Sequence, residues 1–278
     1  ISQNKNEILE LPENKNDELY TFGNKNYAYS VMMGDPLGSF YGYRYKGVYQ
    51  NVEETYAVNT SGQRILDIDG NPVVMKNGDQ KVYPGDARYE DVNGDGVIDE
   101  NDIVYLGNSN PTLTGGLNFT LRYKKVSLVA AFHGRAGQKV INQARMDMEN
   151  MRGKNNQSVA VLRRWRSEGD DTDIPRALYD KGYNYLGSDR FVEDASFLRL
   201  KTVTLKYQMP AKWMKAIGVN KLELYATGYD MFVWTKYKGQ DPEVNLKAAN
   251  DGTVAQVAID SNNTPKPFKI AFGLNLNF

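Results

Sequence analysis

The last eleven residues, "FKIAFGLNLNF", alternate without a break. Phe268, Ile270, Phe272, Leu274, Leu276 and Phe278 fall on one side of an extended chain, and Lys269, Ala271, Gly273, Asn275 and Asn277 on the other. Side chains of a strand point alternately to its two faces, so this segment asks for an apolar medium on one side and a polar one on the other. Its length matches the ~9–11 residues of a strand that crosses a bilayer, against the ~5–6 usual in soluble sheets.

The pattern recurs upstream. In "TGGLNFTLRYKKVSLVAAFHG", Leu117, Phe119, Leu121 and Tyr123 alternate down to a turn at Lys124–Lys125, and Val126, Leu128, Ala130 and Phe132 alternate back, as in a hairpin. "SFLRLKTVTLKYQMP" supplies another strand, ended by Pro210, which cannot donate to a ladder. In "KLELYATGYDMFVW", Leu222, Leu224 and Ala226 share one face and Tyr225, Thr227 and Tyr229 the other. "AKWMKAIGVN" reads as a short connector with one helical turn.

Connectors of two sizes join these strands. Those at 124–125 and 209–220 are short; those at about 52–112, 135–195 and 234–267 are long and polar. Tight turns alternating with long loops are the habit of transmembrane barrels, whereas structureless loops of this length argue against a compact soluble domain. The expected fold is all-β: an antiparallel transmembrane β-barrel segment with extracellular loops at 52–112 and 135–195. The alternative is a secreted, soluble β-rich binding module with a calcium-binding loop. "SFYGYRYKGVYQ", in which Tyr41, Tyr43 and Tyr45 alternate, fits either a membrane strand paired with about 19–33 or an extracellular excursion.

Composition removes several classes. Lys+Arg and Asp+Glu are both 34, so no net charge argues for nucleic acid. Cysteine is absent and His133 is the only histidine, which excludes disulfides, thiolate metal sites and His-based triads. No nucleophile elbow, phosphate loop or nucleotide fingerprint occurs, and the Asp170, Asp171 and Asp173 group reads as a hydrated turn, so no enzyme is expected. Nor does any apolar run approach the ~20 residues of a membrane helix. The start at Ile1, without methionine or an apolar leader, reads as a processed or partial chain. The 19 tyrosines on a chain of mean hydropathy −0.59 suit surfaces that are apolar on one side and wet on the other.

One stretch carries possible metal chemistry. "DVNGDGVIDEND" places Asp91, Asn93, Asp95, Asp99 and Asp102 at the first, third, fifth, ninth and twelfth positions of a calcium loop, with Gly96 at the sixth. The Val97 carbonyl would supply the seventh position. Hard oxygen donors at this spacing suit a structural calcium. Position twelve is Asp rather than Glu, and no amphipathic helices flank the loop. A series of Asn-Gly and Asp-Gly turns needs no metal and stays open as the other reading. In either case the loop is a local clamp, since a sensor needs flanking helices to open. Trp165 (in "RRWR"), Tyr183, Trp234 and Tyr237 are candidate contacts for a substrate or partner protein, and an interfacial aromatic girdle accounts equally for Trp234.

"GDPLGSFYGYRYKGVYQ", "GDARYEDVNGDGVIDENDIVYLGNSNPTLTGGLNFTLRYK", "RRWRSEGDDTDIPRA", "ASFLRLKTVTLKYQMP" and "DMFVWTKYKGQDPEVN" occur in the order of similar segments in the SusC/RagA family. These are TonB-linked outer-membrane proteins of Bacteroidetes. The resemblance covers residues 1–278 and is to the family's C-terminal part, without its plug and earlier strands. It implies the closing strands of a 22-stranded, plugged barrel, embedded in outer-membrane lipid and completed by the rest of the same protein. It further implies import of oligosaccharides or peptides with a SusD-like surface lipoprotein as lid, and energy from TonB through the N-terminal part. Phe272, Leu274, Leu276 and Phe278 then resemble the signal read by the barrel-assembly machinery.

Overall fold

The computed structural model describes residues 1–10, 20–21, 27–29, 32–180, 182–216, 218–248 and 256–277. Its frame is five long strands: β1 (Leu113–Tyr123), β2 (Val126–Ala136), β3 (Phe197–Gln208), β4 (Lys221–Thr235) and β5 (Lys269–Asn277). Each is antiparallel to the next, in chain order. A two-residue strand, Ser2–Gln3, pairs with the outer edge of β1 at Thr114 and Leu113. Among the described residues no helix is long and apolar enough to cross a membrane, which says nothing of strands.

The register sorts the connections by size. Tyr123 stands opposite Val126, Gln208 opposite Glu223 and Lys221 opposite Asn277, so both short connections lie at one end of the sheet. Lys124 turns the first hairpin in the left-handed region, at φ 53°, as two-residue hairpin loops require. The second connection holds helix Ala211–Ala216, seated by buried Met214, whose Sδ accepts the Leu222 N–H at 3.0 Å. Leu113 pairs with Ala136, Arg135 with Phe197 and Phe197 with Thr235, so the long connectors leave from the other end.

Two adjacent register rows show what the sheet separates. Leu121, Leu128, Leu205, Ala226 and Phe272 form one row; Thr120, Val129, Thr204, Thr227 and Ala271 form the next, on the opposite face. The Thr204 and Thr227 hydroxyls are hydrogen-bonded at 2.9 Å. Tyr225 lies over its register partner Gly273, where an added Cβ would come within 2.3 Å of the ring. The apolar row is open to the surroundings: Phe272 is 82 % exposed and Leu121 63 %. An apolar face this continuous is not left in water by soluble proteins.

The alternation is interrupted once. Between Leu200 and Thr202 the pairing of β3 shifts against both neighbours, and on β4 three steps separate Tyr229 from Phe232. Asp230, at φ 49°, sits in this bulge. Strict alternation would send Asp230 to the apolar face. Instead its carboxylate lies 3.6 Å from Lys201 and 4.0 Å from Arg199, on the polar face, while Met231 lies over Gly228. Re-aiming a side chain is a regular use of a bulge.

Residues 39–108 fold as an excursion beside the long-connector end. Ser39–Gly42 pairs with Val104–Asn108 and Ala28–Tyr29, and Tyr45–Val48 with Ala87–Tyr89; none of them joins the long sheet. The Tyr41, Tyr43 and Tyr45 alternation therefore belongs to the excursion, and the body it forms begins upstream of residue 52. Its core gathers Tyr49, Ala57, Met75, Val82, Ala87, Tyr89 and Ile98 with Leu186 from the 135–195 connector. The two connectors are tied by Arg176, whose Nε and Nη2 donate to Asp86 at 2.7 and 3.2 Å.

Candidate functional site

On the polar face, at the long-connector end, six charged side chains close a neutral cluster. Arg199 is 3 % exposed; its Nη2 donates to Asp241 at 2.5 Å, and its Nε lies 3.5 Å from Glu243. Lys201 reaches Glu243 at 3.3 Å and Asp230 at 3.6 Å, and Lys266 reaches Glu243 at 2.5 Å. Burial works against ionisation of Glu243, but Lys266 and Lys201 more than offset it and hold the carboxyl below the usual range. The cluster fastens the 236–268 connector over the end of β3 and β4. His133 pairs with Arg199 in the register and sets its ring edge-on to Phe197 at 5.8 Å, an ordinary structural role.

The apolar face carries an aromatic row at the same end. Phe119 stacks with Phe132 at 6.2 Å, Phe132 with Trp234 at 6.4 Å, and Trp234 with Phe232 at 6.1 Å. Trp234 thus stands on the face opposite the charged cluster, in the position of a girdle residue. The other three candidate contact residues do not gather with it. The Tyr237 hydroxyl donates to Asp260 at 2.6 Å inside a small core with Val140, Ala195, Val244 and Ala258. Trp165 packs on Gly85, where an added Cβ would meet its ring at 2.3 Å. Tyr183 donates to Asp79 at 3.2 Å and packs against the excursion core. Phe272, Leu274 and Leu276 are exposed along the apolar face of β5, and Phe278 lies outside the described residues.

The 91–102 loop is closed by its own amides. Asp91 accepts from the Gly94 and Gly96 N–H groups at 2.7 and 2.8 Å, Asp95 from Val97 at 2.8 Å, and Asp99 from Asn101 at 2.8 Å. Asn93 accepts from the Asp95 N–H at 3.0 Å, and its Nδ2 donates to Asp95 at 2.8 Å. Asp102 is fully buried and spends both oxygens, one on Val92 N–H at 2.7 Å and one on Asp99 N–H at 2.9 Å. That burial pushes its carboxyl above the ordinary range. Gly96 takes the left-handed turn, φ 86°, that its sixth position asked for. Among the described residues no three acidic side chains converge, and the turn series accounts for these contacts without an ion.

Two outcomes follow for the loop. Asp102→Ala takes the buried acceptor from the Val92 and Asp99 amides, and hydrogen bonds to a charged group are worth ~1.5–3 kcal/mol each; limited proteolysis should open 88–105 while the sheet stays intact. Asp95→Ala, at an exposed position, should leave the loop resistant with or without chelator. A carboxylate has lone pairs for an amide and an ion at once, so calcium binding would require Asp91, Asp95 and Asp99 to converge on one point. Titration of the full-length protein with calcium tests this: silence is expected, and one saturating site would restore the metal.

No protein-family model matches the chain. It is 33% identical over 284 residues to a TonB-dependent receptor of Formosa agariphila, covering 100% of this chain and 26% of that protein. Identity to the TonB-dependent receptor SusC of Bacteroides thetaiotaomicron is 26% over 289 residues, covering 100% of this chain and 24% of the relative. The chain is related to the SusC/RagA-type TonB-dependent receptors. It spans about a quarter of the length of the curated relatives it matches. Among solved structures, the RagAB peptide importer in its closed-closed state superposes with a TM-score of 0.66 at 24% identity, over 98% of this chain and 26% of that one. The superposition shows the fold: the two-faced sheet is a run of strands from such a receptor barrel. SusC/RagA-type receptors are outer-membrane proteins. The relatives are named as receptors, none as an enzyme.

Proposed function

We propose that residues 1–278 form the closing wall of a TonB-dependent importer, a plugged barrel of 22 strands. The observation that carries the reading is the pair of register rows, apolar on one face and, but for Val129, hydroxyl-bearing or small on the other. Such a wall separates lipid from a polar lumen. A soluble binding module would leave Leu121, Leu205 and Phe272 facing water and loses on that count. The long connectors are extracellular in this reading, and the charged cluster stands at the outer mouth of the lumen.

The cargo class is oligosaccharide or peptide. The peptide-importing RagAB supports the peptide option, and the oligosaccharide option is what the resemblance to the SusC/RagA family implies. A SusD-like surface lipoprotein is the expected lid, and TonB would act through the N-terminal part of the full protein. Uptake of labelled oligopeptides and oligosaccharides of matched mass, by cells carrying the full-length receptor, is the test. Import of one class that stops with a protonophore and depends on a co-purifying lipoprotein supports the reading. Import indifferent to the protonophore, or of neither class, overturns it.

A further inference from the structure

The zero net charge conceals a polarity. Tyr123, Val126, Tyr207, Leu224 and Leu274 stand level across the apolar face, and beyond that row lies the short-turn end. Residues 124–125 and 208–223, beyond the row, hold five basic side chains against one acid, Glu223. Lys+Arg and Asp+Glu each number 34, so the rest of the chain carries four more acids than bases. Glu223 already lies 3.7 Å from Lys206. Among the described residues Lys124 and Lys125 in one turn, and Lys212 and Lys221 around the other, are exposed and form no ion pair.

The depth of these lysines follows from the strands. Leu198 pairs with Trp234 in the upper aromatic row, and Tyr207 marks the lower level. At ~3.3 Å per residue and a tilt of ~40°, the stretch between them rises about 23 Å, close to the ~25 Å apolar band of a membrane barrel. The Lys124 ammonium sits 5.3 Å over the Tyr123 ring, which is 69 % exposed, and Trp213 beside Lys212 is 62 % exposed. Rings of this kind favour headgroup level. The lysines therefore lie just past the hydrocarbon, continuous with the lipid face.

We propose that the short-turn end binds the phosphate headgroups of anionic phospholipids in the leaflet it reaches. The inference rests on the membrane-barrel reading above. The test places the full-length receptor in phosphatidylcholine nanodiscs containing phosphatidylglycerol or lipid A, and counts retained lipid by native mass spectrometry. Wild type should retain phosphatidylglycerol over phosphatidylcholine. Lys124→Ser with Lys125→Ser should weaken that retention by about fivefold per lysine, and Lys212→Ser by about fivefold more. Lys154→Ser, on the 135–195 connector, should change nothing. Equal retention in the turn variants overturns the proposal, as does a preference for lipid A that the turn variants keep. A receptor that enters the nanodiscs and shows the heat-dependent gel shift of a folded barrel isolates that failure to the lipid site. One that does neither overturns the barrel reading and this proposal with it.

Discussion

Phe272→Arg in the full-length receptor is expected to remove about 2–4 kcal/mol of barrel stability, the cost of an arginine facing lipid near the bilayer midplane. Ala271→Arg, one residue away, should cost less than about 1 kcal/mol, as for a surface change away from packed features. The contrast comes from the pleat alone. Phe272 shares its row with Leu121, Leu128, Leu205 and Ala226, midway between the two aromatic levels, whereas Ala271 shares the opposite row with Thr120, Thr204 and Thr227. An arginine at 272 can reach water only by bending past hydrocarbon; at 271 it enters the polar lumen. The fraction of receptor that keeps its folded, heat-shifted gel mobility, followed through a urea series, measures both variants. Equal losses at the two positions would mean that the rows do not separate lipid from water. Phe272 also belongs to the segment resembling an assembly signal, so purified and refolded protein should be compared with membrane-inserted protein. A purely assembly-related defect would vanish on refolding.

The strands were legible because a lipid-facing wall leaves no freedom in its period. Every second residue of β5 must be apolar over the whole crossing, and Leu222, Leu224 and Ala226 on β4 fall where their alternation puts them. The tight turn at Lys124–Lys125 and the helical turn at 211–216 were readable for the same reason, as the places where the period stops. The bulge was not. By alternation Asp230 belongs to lipid and Met231 to the lumen, and only the left-handed backbone at 230 exchanges them. A one-residue insertion leaves no mark in composition.

The excursion was illegible for a different reason. Tyr41, Tyr43 and Tyr45 show that a segment is extended, but alternation does not name the strand across the ladder. The 91–102 loop exposes a true degeneracy. Carboxyl and amide side chains that accept from the amide two or three residues on recur at the same short spacing as calcium ligands. Asp91, Asn93, Asp95 and Asp99 each make such a bond. One string of letters therefore encodes a turn series and a metal cage equally well, and Gly96 serves both. The charged cluster at Arg199 had no signal at all, since Asp241, Glu243 and Lys266 are brought to β3 from more than 40 residues away by packing of the connector. Trp234 was legible only as an alternative, because a tryptophan near a strand end fits a girdle and a binding surface alike until its face is known.

Arg199→Met should be the most damaging single change on the polar face. Arg199 is 3 % exposed, and three carboxylates are arranged around it and two lysines. The count is balanced, three cations to three anions. Removing the buried member leaves Asp241, 10 % exposed, without its partner at 2.5 Å. Breaking a buried pair by deleting one partner costs ~3–5 kcal/mol, because the orphaned charge stays desolvated. Lys201 and Lys266 remain to hold Glu243, so the loss should fall toward the lower end of that range. It should also be local. The ladders of β3 and β4 do not pass through this side chain, whereas the 236–268 connector is fastened by it. The expected result is protease cleavage within 236–268 at conditions where wild type resists, with the barrel's own unfolding transition little moved. Adding Asp241→Asn to Arg199→Met removes the orphaned charge and should recover about half of the loss, since a neutral pair needs no compensation. A double variant no better than the single one would show that the guanidinium holds the connector through the Phe197 ring, 5.7 Å from its central carbon, and not through Asp241.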